Sequence, residues 1–186
     1  MTNRKKTYKT SLNKKKVREF LFDKFAPKKF TKIVGLPGPD PEDYINFCKS
    51  KGYKEFEMYE NHFPTIIEQI KFFRTKAKIS LIYGNVFVAN PNRQDVLYDL
   101  DYCCTTKHLC SDIRKFNTNF IMTFSRRISD KKTFETFFKA KGEMLYSVFT
   151  LFSPIKHSIL TTENGNKYYY VDYYDTSSMC CFAKIN

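Results

Sequence analysis

The 186 residues contain no tryptophan, only three histidines and only six glycines. Paired Cys-x-x-Cys knuckles are also missing, which excludes the usual structural zinc frames. Cys103, Cys104, His108 and Cys110 are the one grouping with ligand chemistry. It falls where a strand end runs towards a helix, so no metal is expected. Six cysteines, four of them in the adjacent pairs Cys103-Cys104 and Cys180-Cys181, do not make a secreted disulfide framework, and reduced thiols are expected. No apolar run reaches the roughly 18 residues that a membrane helix needs. The basic N-terminus has no apolar stretch behind it, so no secretory signal is read and the expected location is the cytoplasm. A hydrophobic content of 42% excludes a wholly disordered chain. The length fits one domain with a real core.

Acidic residues are missing from the first 18 positions, which hold Arg4, Lys5, Lys6, Lys9, Lys14, Lys15, Lys16 and Arg18. The net charge is +13. A basic arm on a mildly basic body suits a polyanion such as nucleic acid. The same run also reads as a solubilising tail. The expected organisation is a flexible arm over 1–16 and a single domain over 17–186.

Along the chain, strands and helices alternate. Val17, Phe20, Leu21 and Phe25 share one face of a helix capped by Ser11. Phe30 to Leu36 reads as a buried strand. Asp40, Pro41, Glu42 and Asp43 mark a helix start, and Gly52 marks its end. Glu55 to Glu60 is a second strand. Phe63, Ile66, Ile67, Ile70 and Phe73 have helical spacing over 62–73. Ile79 to Tyr83, Asp95 to Tyr102 and Asn119 to Ser125 read as strands, 105–116 as helix, and 130–152 as a long helix. Asn164-Gly165 is a hairpin turn between two β-forming stretches, and Met179 to Ile185 is a last strand. The predicted architecture is α/β: a doubly wound, mostly parallel Rossmann-like sheet with helices on both faces and a C-terminal antiparallel hairpin.

Ligands of such sheets sit at the carboxyl ends of the strands. The residues falling there are therefore the candidates. The turn Gly35-Leu36-Pro37-Gly38 follows strand one and precedes a helix N-terminus. It allows close backbone approach, although it is not GxGxxG and a plain tight turn explains it equally well. Glu60 ends strand two, 25 residues after Gly35, where an acid can accept hydrogen bonds from ribose hydroxyls. Asn85 follows strand three with an amide suited to an adenine edge or to a turn. Asp99 and Asp101 share one side of strand four, where acids are costly without a purpose. Asp101 is placed to position an acceptor or to take its proton, and Tyr102 offers a ring for stacking. Arg126 and Arg127 follow strand five and suit phosphate.

These residues, in this order, make the chain similar to the class I S-adenosyl-L-methionine (SAM)-dependent methyltransferases. The resemblance covers residues 28–186. It places the first motif on Gly35 to Gly38, the ribose-binding acid on Glu60, the adenine contact on Asn85 and the fourth motif on Asp99 to Tyr102. It implies SAM as cofactor and Asp101 and Tyr102 at the catalytic centre. Nucleic acid is the expected partner, through Arg4, Lys5, Lys6, Lys14, Lys15, Lys16, Arg126 and Arg127. Leu36-Pro37 departs from the family's glycine-rich turn, and no proline pair follows Asp101. The alternative is a non-catalytic nucleic-acid-binding or interaction protein on the same fold. Richness in Lys, Phe, Tyr and Asn suits a phage or viral gene.

Overall fold

The computed structural model describes residues 12–24, 30–37, 41–74, 78–84, 93–105, 119–125, 145–151, 156–162, 167–174 and 178–184. Among the described residues three helices are seen: α1 (Leu12–Lys24), α2 (Pro41–Ser50) and α3 (Phe63–Phe73). The nine strands among the described residues form one sheet: β1 (Lys32–Gly35), β2 (Glu55–Glu60), β3 (Ile79–Tyr83), β4 (Val96–Thr105), β5 (Phe120–Ser125), β6 (Leu145–Leu151), β7 (Lys156–Thr162), β8 (Lys167–Tyr174) and β9 (Ser178–Lys184). Their order is β3-β2-β1-β4-β5-β9-β8-β7-β6.

The first five strands run parallel. The chain moves outward from β1 to β3, then returns to β4 on the other side of β1. That reversal is the switch point at which open α/β sheets bind ligands. β9 enters antiparallel beside β5, and β8, β7 and β6 follow as an antiparallel run.

Local chemistry explains the elements. α2 opens on Pro41 with Glu42 and Asp43 in its first turn, and Lys49 lies in its last turn. Each suits the helix dipole at its own end. Gly52, at φ +93°, closes α2 by donating its N–H to the Lys49 carbonyl, while the Tyr53 N–H reaches the Cys48 carbonyl. That pair of bonds caps the orphan carbonyls and turns Tyr53 into the core.

One face of the sheet carries α1 and α2. Ile33, Phe56, Met58, Leu97 and Ile121 pack there with Val17, Leu21 and Phe22 of α1 and with Tyr44, Ile45 and Cys48 of α2. α1 also packs against β8, whose Val171 joins the same cluster. Val34, Tyr98, Leu100 and Met122, of opposite parity, are buried as well. Burial on both faces is what makes the central strands read as nearly continuous apolar runs.

Three expectations change. The helix expected over 130–152 is a strand where it is described, since Leu145–Leu151 pairs antiparallel with β7. Tyr146, Val148, Phe149 and Thr150 are strand formers, and a pairing partner decides for them. The arm expected over 1–16 is helical from Leu12, so Lys14 to Lys16 belong to α1. In α3 the core stripe is Ile66, Gln69 and Phe73, whereas Phe63, Ile67 and Ile70 are exposed. Ser11, Phe25 and residues 106–116 lie outside the described residues.

Candidate functional site

Unequal strand lengths shape the carboxyl rim. β1 stops at Gly35, opposite Met58 of β2 and Asp99 of β4. β2 runs on to Glu60 and β4 runs past Asp101. β1 therefore stops short of both neighbours, with Glu60 further along on one side and Asp101 on the other. The period-two alternation points Gly35, Glu60, Asp99 and Asp101 to the α1/α2 face. The end of β3 is tied to the same rim, because the Gly84 N–H donates to the Glu60 carbonyl at 3.0 Å.

Glu60 is half-buried. Its Oε1 accepts from the backbone N–H of His62, just before α3, at 2.8 Å. Among the described residues Oε2 takes no hydrogen bond, so the carboxylate is oriented and keeps an acceptor at the rim.

Gly35 is used differently from the expectation. A Cβ there would lie 2.7 Å from the Tyr44 Oη and 3.2 Å from the Asp99 carbonyl oxygen. The glycine thus admits the tyrosine hydroxyl, and the close backbone approach it permits is already taken by the protein itself. Leu36 is half-buried and Pro37 buried.

Asp99, expected among the cofactor contacts, lies beneath the rim and is 3% exposed. Tyr44 donates its O–H to Asp99 Oδ2 at 2.9 Å. Burial pushes the Asp99 carboxyl above its ordinary value, and the positive charge of Arg18 opposes that rise. Burial, then the neighbouring Asp99, hold the Tyr44 hydroxyl well above the usual tyrosine range. Burial also raises the Cys48 thiol, so this cysteine is no nucleophile. Burial disfavours the Arg18 charge, but Asp99 and Asp101 outweigh it and the guanidinium is held more firmly than usual.

Arg18 stacks over the Tyr44 ring at 5.0 Å and reaches Asp101 at 3.5 Å. Lys14 also pairs with Asp101. A cavity with room for about one water lies beside this group, lined by Lys14, Arg18, Asp99 and Thr123 among others. Asp101, expected as a free carboxylate of the cleft, is thus gripped by two cations of α1. Tyr102 follows it in β4, where the pairing with β5 shifts register between Asp101 and Thr105.

Sequence reasoning missed Tyr44 and Arg18. The signal was the acid pair inside an apolar strand, which demands a donor and a cation from whatever covers it. It also missed Glu57 on the other face, held by Lys32 at 2.7 Å, Arg93 at 3.3 Å and the Tyr59 hydroxyl at 2.9 Å.

The basic candidates separate. Lys14 is turned inward onto Asp101, Lys15 pairs with Asp43 at 3.1 Å, and Lys16 is exposed. Gly38, Asn85, Arg4, Lys5, Lys6, Arg126 and Arg127 lie outside the described residues, as do His108 and Cys110. No group of three His, Cys, Asp or Glu suited to a metal occurs among the described residues. No helix among them is long and apolar enough to cross a membrane.

No protein-family model and no curated protein matches the chain. Solved structures do. Precorrin-6y C5,15-methyltransferase from Geobacter metallireducens aligns over 96% of this chain and 92% of its own, with a TM-score of 0.51 and 10% identity. Ribosomal protein L11 methylase from Lactobacillus delbrueckii subsp. bulgaricus aligns over 94% and 81%, with a TM-score of 0.53 and 8% identity. The 23S rRNA methyltransferase ErmE aligns over 91% and 67%, with a TM-score of 0.52 and 10% identity. The architecture is thus the Rossmann-like fold of these methyltransferases, a five-stranded parallel sheet flanked by helices. Fold alone does not fix activity.

Proposed function

We propose that the chain binds SAM at the carboxyl rim between β1 and β2 and directs its methyl group to a nucleic acid. The observation that carries this reading is the Glu60 carboxylate, oriented by His62 at the carboxyl end of β2 beside the switch point. An acid there accepts both hydroxyls of a ribose. The donor set fits at Glu60. Close backbone approach falls to Leu36, Pro37 and Gly38, because Tyr44 occupies the space over Gly35. Asn85, next after Gly84, takes the adenine edge.

When bound, SAM supplies an electrophilic methyl group, and transfer is an in-line displacement in which positioning supplies most of the rate. Asp101, fixed by Lys14 and Arg18, orients the acceptor rather than removing its proton. Tyr102 adds a stacking surface. Asp99 acts through Tyr44, holding α2 against the end of β1. The basic residues Arg4, Lys5, Lys6, Lys16, Arg126 and Arg127 attract the phosphates, and the setting is the cytoplasm of a cell or of a phage- or virus-infected host.

The occupied space over Gly35 favours a second reading, in which the fold persists without catalysis and the chain only binds nucleic acid. Incubation with methyl-labelled SAM and pooled RNA or DNA separates the two. Label in the nucleic acid, lost by at least about 10-fold in Glu60→Ala, is the expected result, following the cost of losing a charged hydrogen-bond acceptor. Salt-sensitive binding without label, from a folded protein, leaves the second reading standing.

A further inference from the structure

β3 is the outermost strand beside β2, and among the described residues it pairs with β2 alone. Its sequence, Ile-Ser-Leu-Ile-Tyr, holds no charge, proline or glycine. Proteins normally blunt such an edge or cover it. Beside it lies the second apolar stripe of α3. Ile66, Gln69 and Phe73 point into the core. Phe63, Ile67, Ile70 and Arg74 line up about a quarter turn round the helix, at 100° per residue. The Phe63 ring meets the Tyr83 ring edge-to-face at 5.9 Å, so this stripe lies on the β3 side. Phe63 is 59% exposed, Ile67 42%, Ile70 50% and Tyr83 61%. Strand edge and helix stripe form one apolar seam.

We infer that this seam is covered by a second copy of the chain, related by a two-fold axis through Leu81. The seam is complementary to itself only in the antiparallel sense. β3 then meets β3 of the second copy with Ile79 opposite Tyr83. Along α3, Ile67 meets Ile70 of the second copy at the centre. Phe63 meets Arg74, a cation against an aromatic face, at each end. The charge is distributed to match: Lys71, Arg74 and Lys78 are exposed at the basic end, and the two exposed rings mark the other. A parallel arrangement would set Arg74 against Arg74. Isoleucines at the centre offer nothing to stack on a base, so protein fits better than nucleic acid. The inference is independent of the cofactor reading.

Light scattering and sedimentation of the nuclease-treated full chain, from about 1 to 100 µM, test it. A dimer is expected. Ile67→Glu and Ile70→Glu, each at an exposed position, should keep the native circular dichroism and weaken the dimer by about 100-fold, since each buries two unpaired charges. The double variant Ile67→Cys/Ile70→Cys should form a cross-linked dimer on oxidation. Leu12→Cys, at a site 68% exposed on α1, should not. A monomer throughout this range, a dimer indifferent to both glutamates, or a heavier species that nuclease removes would overturn the inference.

Discussion

Replacing Arg18 by methionine should destabilise the folded chain by about 3–5 kcal/mol, the usual cost of stranding a buried charge. For a chain of this size that lowers the melting temperature by roughly 10 °C. Methionine keeps the length and the packing over Tyr44 and Phe47, so the loss reports charge. Asp101 retains Lys14, whereas Asp99 keeps only the Tyr44 hydroxyl and more distant cations. Asp99→Asn should therefore rescue part of the damage. The double variant should be less destabilised than the sum of the two singles by about 1–3 kcal/mol, as groups in one network are.

The same pair predicts a pH dependence. The Asp99 carboxyl is raised in the fold, so the folded state holds that proton more tightly than the unfolded chain. Its contribution is complete below the ordinary aspartate range near about pH 4, and drains away as pH climbs through the folded value. Melting curves between these limits should fall less steeply with rising pH in Asp99→Asn than in the native chain. In Arg18→Met, where the opposing cation is gone, the fall should extend to higher pH. Parallel curves for all three proteins would refute the role assigned to Asp99.

Gly35→Ala should cost about 1–3 kcal/mol, the range for overpacking a filled site. The added methyl meets the Tyr44 Oη at 2.7 Å and a backbone oxygen at 3.2 Å, so one of them must move. Tyr44→Phe removes the nearer atom. It also leaves Asp99 without its donor, so alone it costs about 1–3 kcal/mol. In combination the two changes should cost clearly less than their sum, because the phenyl carbon that remains is at an ordinary 3.4 Å. Strict additivity in thermal or denaturant melts would mean that Gly35 answers to something other than Tyr44.

The strand ends were legible because their chemistry is local. Gly35, Glu60 and Asp101 each stop or follow an apolar run, and the run fixes which end of the sheet they reach. What Gly35 is for was not legible. A glycine after a strand reads the same whether a ligand or a tyrosine hydroxyl fills the space, and in sequence Tyr44 looks like any other core aromatic of a helix. Asp99 announced that it needed partners, but nothing in the sequence says that α1 folds back over β4 to supply Arg18. Leu145–Leu151 was misread because its apolar residues fit a helix about as well as a strand until β7 lies beside them. In α3 the period was right and the conclusion too broad: Phe63, Ile67 and Ile70 keep helical spacing yet lie a quarter turn from the core, where spacing alone cannot tell core from edge.

Isothermal titration of SAM into the native chain and into Glu60→Ala bears most directly on the proposed rim. The expected result is saturable one-to-one binding to the native chain, weakened at least about 10-fold when Glu60 loses its carboxylate while the melting temperature is retained. No heat of binding at millimolar SAM from a folded native chain, or equal affinity in the two proteins, would contradict it.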